Sequence, residues 1–437
     1  MSEILNRYAF RVQTMQPWRW RGTVVESIGH TIQSAGPVAS VGECCEISDR
    51  TGARHLAEVI GFRGSKVVSM PLRTTEGVRF GDAVTALGTG PEVVVGDSVV
   101  GQILDGMGFP LEGGKITGKT EKFPLEGLLH TPLDRVPIQI PLGTGIRAID
   151  GLLSVGRGQR VGIFGGSGVG KSTLIGIMTR NTEADVTVVG LVGERGREVR
   201  EFVDDALGRE GLMRSVVVVS TSDQSPLMRM RAAMTATTIA EYFARQGKAV
   251  LLVLDSLTRF AMAAREIGLA AGEPPTAKGY TPSVFSRLAK LVERAGNFSH
   301  GSITAFYTVL MEGDDQQDPL VDAVRSLLDG HVVLSRTLAA EGWYPPIDLL
   351  DSISRLMPAV TRKEHREQAA LFRRMMAAYA RSEDLVRIGA YKPGADPDLD
   401  RALRARSAMR EFMMQTAAEK SAFPDCLRRL ASLAEAI

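Results

Sequence analysis

RVGIFGGSGVGKSTLIGIMTR, residues 160–180, decides how this chain is read. A short apolar run ends in glycine, a glycine-rich loop follows, and the loop opens into a stretch of helix formers. Residues 165–172, GGSGVGKS, match G-x-x-x-x-G-K-[ST] in the setting that gives the pattern meaning, between a strand and a helix. The residue types suit the phosphates of a nucleotide. Gly165, Gly166, Gly168 and Gly170 let the backbone turn and bring N–H groups up to phosphate oxygens, with Ser167 and Val169 completing the loop. A helix opening at Lys171 aims its positive dipole end at the same oxygens. Lys171 is placed to reach the β- and γ-phosphates, the Ser172 hydroxyl to ligate Mg²⁺, and Thr173 to lie near the α-phosphate. The predicted ligand is Mg-ATP, and the predicted chemistry is loss of its γ-phosphate.

Outward from the loop, intensely apolar runs alternate with helical stretches over residues 96–350: TVVGLVG (187–193), SVVVVS (215–220), AVLLVLD (249–255), ITAFYTVL (303–310) and HVVLS (331–335). Runs apolar at every position bury both faces, as parallel strands under helices do. Residues 21–95 differ. There, short β-type runs such as GTVVESI, HLAEVIGF, KVVSMPL and DAVTALG are broken by Gly and Pro about every ten residues, which predicts a small β-barrel or sandwich. Residues 351–437 show no strand pattern. They are rich in Ala, Leu, Arg, Glu and Met, with Leu427, Leu430 and Leu433 along one face and Pro393, Pro397 and Pro424 as punctuation, and they read as a helical bundle. Residues 1–20 place Leu5, Tyr8, Val12 and Met15 at helical spacing. That stripe suits a partner and the chain's own barrel equally.

The 437-residue length allows about three domains. A net charge of +2 gives no reason to expect a polyanionic partner, so nucleic acid is not predicted. Cys44, Cys45 and Cys426 form no C-x-x-C, and six scattered histidines show no ligand spacing, so neither a disulfide framework nor a zinc site is expected. The N-terminus breaks its apolar character at Asn6 and Arg7, unlike a signal peptide, and no apolar run reaches membrane-spanning length. The expected location is the cytoplasm, at most peripheral to a membrane.

Two acids stand out. Asp255 ends the apolar run AVLLVLD. On its own it would equally cap the next helix; beside a phosphate loop it takes the Walker-B role of holding Mg²⁺. Glu194 follows another strand in LVGERGRE, where an isolated acid more often belongs to a solvated surface.

Five longer stretches extend the pattern: GQILDGMGFPLEG (101–113), PLGTGIRAIDGLLSVGRGQRVGIFGGSGVGKST (141–173), GLVGERGREV (190–199), LLVLDSLTRFAMAAREI (251–267) and WYPPIDLLDSISRLM (343–357). On these motifs the chain resembles the hexameric ATPases built on the ATP-synthase catalytic subunit. GYTPSVFSRLAKLVERAG (279–296) and FYTVLMEGDDQQDPLVDAVRSLLDGHVVLSR (306–336) resemble the type III protein-export ATPases within that group, and EGDDQQDP leans toward the flagellar member over its virulence-secretion relatives. The resemblance implies an α/β fold with an N-terminal β-barrel, a central RecA-like P-loop core on a parallel sheet, and a C-terminal helical domain.

The resemblance also implies roles. Glu194 matches the catalytic glutamate that orients and deprotonates the attacking water, and Arg195 an arginine at the γ-phosphate of the same subunit. Arg259 matches an arginine of the catalytic loop network, Tyr344 the aromatic that stacks on adenine, and Arg355 the arginine finger that enters the neighbouring subunit's site. A homohexamer with interfacial sites is implied. So are a regulator or stator-like protein bound by residues 1–20, an export gate at the cytoplasmic face of the inner membrane, and chaperone–substrate complexes. Two other readings are weaker. A non-catalytic rotary subunit would carry Gln where this chain has Glu194, and an RNA translocase would need stacking aromatics where residues 22–98 hold only Phe62 and Phe80.

Overall fold

The computed structural model describes residues 19–127, 132–311 and 318–437. The expected partner-binding stripe Leu5, Tyr8, Val12, Met15 and most of EGDDQQDP lie outside the described residues.

The β-type runs of the first region close on themselves. Strands Arg21–Ile28, Thr31–Ala35, Lys66–Pro71, Arg54–Arg63, Cys44–Ser48 and Ala83–Ala86 follow one another around a closed antiparallel barrel. Closure leaves no free edge for another chain to pair with. Inward-pointing Val24, Ile32, Cys45, Ile47, Val59, Val67 and Val84 fill the interior. Alternate positions serve a second purpose, since Ile60, Val68, Met70 and Leu72 belong to the apolar core of the central domain. The barrel is therefore fused to that domain. Arg231 on helix Pro226–Arg245 reaches into the seam to pair with Glu58 at 2.7 Å.

The central sheet orders its strands Ile347–Ser354, Gly330–Leu334, Arg160–Gly165, Ser302–Leu310, Ala249–Asp255, Val186–Glu194, Ser215–Thr221, Ile103–Asp105. All are parallel except Ile347–Ser354, which runs antiparallel along one edge. The apolar runs divide by parity. Val188, Val192, Val216, Val218, Leu252 and Leu254 face helices Pro226–Arg245 and Leu257–Ala271. Val189, Leu191, Val217, Val219, Leu251 and Val253 face helix Lys171–Asn181 and its neighbours. A strand buried on both faces must be apolar at every position, which is what the sequence shows.

Strand Ile347–Ser354 crosses the expected boundary at residue 350, so the region after it opens with strand residues that its polar composition hid. Helices Lys363–Arg387, Pro397–Met413 and Phe423–Ala436 then pack on the sheet side that carries helix Lys171–Asn181. Pro397 and Pro424 sit in first turns, where a missing N–H costs nothing. The buried stripe of the last helix is Cys426, Leu430 and Leu433, while the expected Leu427 lies to its side, half-buried. Arg147 ties this bundle to the central domain through hydrogen bonds to the carbonyls of Glu411, Phe412 and Met414 and an ion pair with Glu419.

A second buried arginine anchors the chain between barrel and core. Arg294 donates to both Glu241 carboxylate oxygens at 2.7 and 2.8 Å, to Thr238 at 2.7 Å, and to the Leu125 carbonyl at 2.8 Å. Its guanidinium lies where a side chain on Gly127 would be. Removing one partner of such a pair strands the other charge in a dry interior. Arg294→Met is expected to destabilise the protein by roughly 3–5 kcal/mol, read from denaturant unfolding, and the double change Arg294→Met, Glu241→Leu to recover much of that loss.

Candidate active site

Every parallel strand points its carboxyl end at one rim of the sheet, and the phosphate loop leaves strand Arg160–Gly165 there. Gly168 and Gly170 hold φ of 77° and 93°, left-handed values that favour glycine. The loop turns through them into helix Lys171–Asn181, leaving Ser167, Ser172 and Thr173 exposed and Val169 buried as the loop's apolar anchor. Lys171 is buried, its ammonium donating to the Gly165 carbonyl at 3.2 Å and to the Gly166 carbonyl. Burial holds its pKa below the usual lysine value, and the charges of Asp255 and Glu194 oppose that shift.

Those two acids arrive from neighbouring strands. Asp255 ends Ala249–Asp255, buried, and accepts a 2.6 Å hydrogen bond from Thr308. Burial raises its pKa, while the Thr308 hydrogen bond and the charges of Lys171 and Arg259 pull the other way. Ser256, not Asp255, caps the following helix by accepting from the Arg259 N–H, so the capping role falls to its neighbour.

Glu194 closes strand Val186–Glu194 just past an irregularity in register between Val192 and Glu194. Gly193 occupies it with φ of 71°, and the Arg259 Cβ would stand 3.2 Å from any Cβ added there. The irregularity re-aims the glutamate. Its carboxylate stands 4.0 Å from Arg259 Nε, a buried atom with no hydrogen-bond partner among the described residues. Burial first, the charge of Asp255 second and a hydrogen bond shared with Glu198 third hold Glu194 well above the ordinary carboxylate range. The same hydrogen bond lowers Glu198. The two carboxyls are thus driven apart, Glu194 upward and Glu198 downward.

Tyr344 stands beside the loop, 3.6 Å from where a Gly170 Cβ would lie, with its half-exposed ring free to take a base. Gln415 secures it from the C-terminal bundle by donating its backbone N–H to the Tyr344 carbonyl at 2.8 Å. Phosphate loop, both acids, Arg259 and Tyr344 thus meet at one rim.

Two expected residues do not join them. Arg195 is 78% exposed and stands 3.7 Å from Glu198. Arg355 follows the antiparallel edge strand, so it lies at the opposite rim. Its N–H donates to the Asp329 carbonyl, and Asp329 pairs with Arg160 at the start of the strand whose far end carries the loop. Five residue steps at about 3.3 Å each separate those ends by roughly 17 Å.

The donor set suits a hard divalent cation. A hydroxyl from Ser172 and a carboxylate from Asp255 are oxygen ligands, and a buried carboxylate whose charge is disfavoured gains from a cation beside it. Thr308, Glu198 and Arg336, which packs on Gly166, escaped the sequence reading. The first two hide inside an apolar run and a charge-rich loop.

Residues 24–88 match the beta-barrel domain of the ATP synthase alpha/beta family, residues 145–354 its nucleotide-binding domain, and residues 361–432 the T3SS EscN ATPase C-terminal domain. The flagellum-specific ATP synthase of Pseudomonas aeruginosa is 52% identical, over 94% of this chain and 92% of its own. The assembled ATPase EscN of the enteropathogenic E. coli type III secretion system superposes with a TM-score of 0.89 at 44% identity, covering 94% of this chain and all of that one. EscN in complex with its central stalk EscO gives 0.87 at 43% identity, with the same coverage.

The raised Glu194 carries a pH signature. For the base role that the resemblance implies for Glu194, which needs the deprotonated form, kcat/KM is expected to fall as pH drops through its raised value, at higher pH than an ordinary glutamate would give. Glu198 raises Glu194 both by hydrogen bond and by charge. Glu198→Ala should therefore move the acid limb to lower pH, and an unmoved limb would break the link between the two carboxyls.

Proposed function

The chain belongs to the ATP synthase alpha/beta family, in its type III secretion branch, and from that premise we propose that it is the ATPase that energises protein export by the flagellar type III apparatus. The observation that carries the catalytic half is the cluster at the carboxyl rim: a phosphate loop, a buried Asp255, and Glu194 with its carboxyl held beside Arg259. The export half is supported by the C-terminal domain match. The flagellar branch is supported by 52% and 51% identity to two flagellum-specific relatives against 48% to type 3 secretion system ATPases, and by the run EGDDQQDP. A virulence-type secretion system is the runner-up.

Residues 165–173 cradle the triphosphate and Tyr344 stacks on adenine. Ser172 and Asp255 would hold Mg²⁺, which when bound offsets phosphate charge. Lys171 supplies positive charge to the β- and γ-phosphates. Glu194 orients the attacking water and takes its proton, the role that Gln in a non-catalytic subunit would not fill. Arg259 keeps Glu194 in place. Arg195, exposed in the single chain, turns to the γ-phosphate once nucleotide and neighbour are present.

Arg355 acts on the neighbouring subunit. With its own loop a sheet-length away, its rim is the one that meets another subunit's site, and an arginine supplied in trans contributes about 10³–10⁵ in rate. A ring of six identical subunits closes that arrangement, with the sites at the interfaces. EscN, which is known both assembled and with a stalk protein, supports an assembly with partners. By the same reading this chain engages a stator-like regulator, chaperone–substrate complexes and an export gate. It does so from the cytoplasmic face of the inner membrane; no helix among the described residues is long and apolar enough to cross one.

Glu194→Gln keeps the shape of the site and removes the base. In the organism that carries this chain, hook and filament proteins should vanish from the medium while their intracellular levels hold. Undiminished filament secretion would refute the flagellar assignment and direct the test to a virulence-type system.

A further inference from the structure

Gly166 fills the second position of the phosphate loop, where the motif accepts any residue. Its φ lies outside the left-handed region, so no turn demands glycine there. The demand comes from Arg336. A Cβ on Gly166 would lie 2.3 Å from Arg336 Nη2, 2.4 Å from Nε and 2.7 Å from Cζ. The guanidinium lies directly on the Gly166 backbone.

Fold geometry brings it there. Strand Gly330–Leu334 runs parallel to the strand that feeds the loop, with Ile163 opposite Val332 and Phe164 opposite Val333. Leu334 is then level with Gly165, and the chain emerges at the rim beside the loop. Ser335 fixes the exit, donating its N–H to the Pro346 carbonyl at 2.8 Å and capping the short helix Arg336–Ala340. Because Pro346 belongs to the Tyr344 turn, the base platform and Arg336 are set by the same hydrogen bond. Gly166 is held from two sides, by the Lys171 ammonium on its carbonyl and by the Arg336 guanidinium on its Cα face.

The end of the loop that Lys171 touches is the γ-phosphate end, since that lysine spans the β- and γ-phosphates. An exposed guanidinium on the same residue adds a permanent, planar positive charge at that end, supplied by the same subunit. We propose that Arg336 is a specificity-determining residue that makes the site prefer a nucleoside triphosphate over the diphosphate by placing this charge against Gly166. The proposal rests on reading the loop as an ATP site. It gives the chain two arginines of opposite logic: Arg355 serves the neighbour, Arg336 its own loop.

The test is calorimetric titration of the full chain with ADP and with a non-hydrolysable ATP analogue, both with Mg²⁺. Arg336→Gln should lose about tenfold or more in affinity for the analogue, the loss expected for one charged contact, with ADP affinity nearly unchanged. Arg336→Lys keeps the charge without the planar fork and should recover part of the loss. Gly166→Ala is the independent arm. Its methyl group would stand against the far end of the flexible Arg336 side chain, so it should push the guanidinium aside and weaken binding of the analogue, and by clearly less when Arg336→Gln is already present. Equal loss for both nucleotides, or an unaltered analogue affinity in Arg336→Gln, would overturn the proposal. A wild-type chain that binds neither nucleotide would instead sink the ATP-site reading, and this inference with it.

Discussion

A parallel sheet has a direction, and the site depends on it. Because all its neighbours run the same way, strand Arg160–Gly165 delivers its loop to the rim that also receives Glu194, Asp255 and Arg336 from other strands. The rim holds its shape because the strands behind it are buried on both faces by two separate apolar cores. A close-packed interior transmits position with little slack. The antiparallel edge strand, Ile347–Ser354, carries Arg355 the other way. On the proposed roles, one chain holds the two halves of the chemistry at opposite ends, with a strand's length of packed side chains between.

Electrostatics at the loaded rim follow from the same burial. Desolvation lowers Lys171 and raises Glu194 and Asp255; the two acids' charges oppose the lysine's shift, Lys171 and Arg259 oppose that of Asp255, and Arg259 opposes that of Glu194. The cluster has one buried ammonium, two costly carboxyl groups and an Arg259 Nε without a partner among the described residues. A phosphate chain with its cation supplies what each lacks: anionic oxygens for the donors and positive charge for the carboxylates. The site is pre-charged for that ligand, while the two buried arginine networks at Arg231 and Arg294 hold barrel and core as one frame around it.

Much of this was legible in residue order because burial leaves a pattern. The runs at 160–165, 187–193, 215–220, 249–255, 303–310 and 331–335 are all strands, since nothing else there needs to be apolar at every position. Strands with one exposed face, or only three residues long, left no such mark, and Ile347–Ser354 and Ile103–Asp105 went unread. The loop, Asp255 and Glu194 were found by motif and resemblance. Arg336 was not, although its stretch was part of the resemblance, because its partner is a glycine far away in sequence that only the parallel register brings alongside. In the last helix a leucine count pointed to Leu427, whereas the true spacing of the buried face selects Cys426. Arg195 follows Glu194 in the motif, yet the single chain leaves it at the surface.

The division of the chemistry between two rims is the central claim, and mixing two disabled chains tests it most directly. Arg355→Ala keeps the base and loses the finger; Glu194→Gln keeps the finger and loses the base. Each alone should be almost idle. Mixed in equal amounts and assembled together, about a quarter of the interfaces in a randomly filled ring would join an intact Glu194 to an intact Arg355, and ATPase activity should return to about that fraction of wild type. Activity no greater than the sum of the two chains assayed separately would contradict the account and place both residues in the same subunit's site.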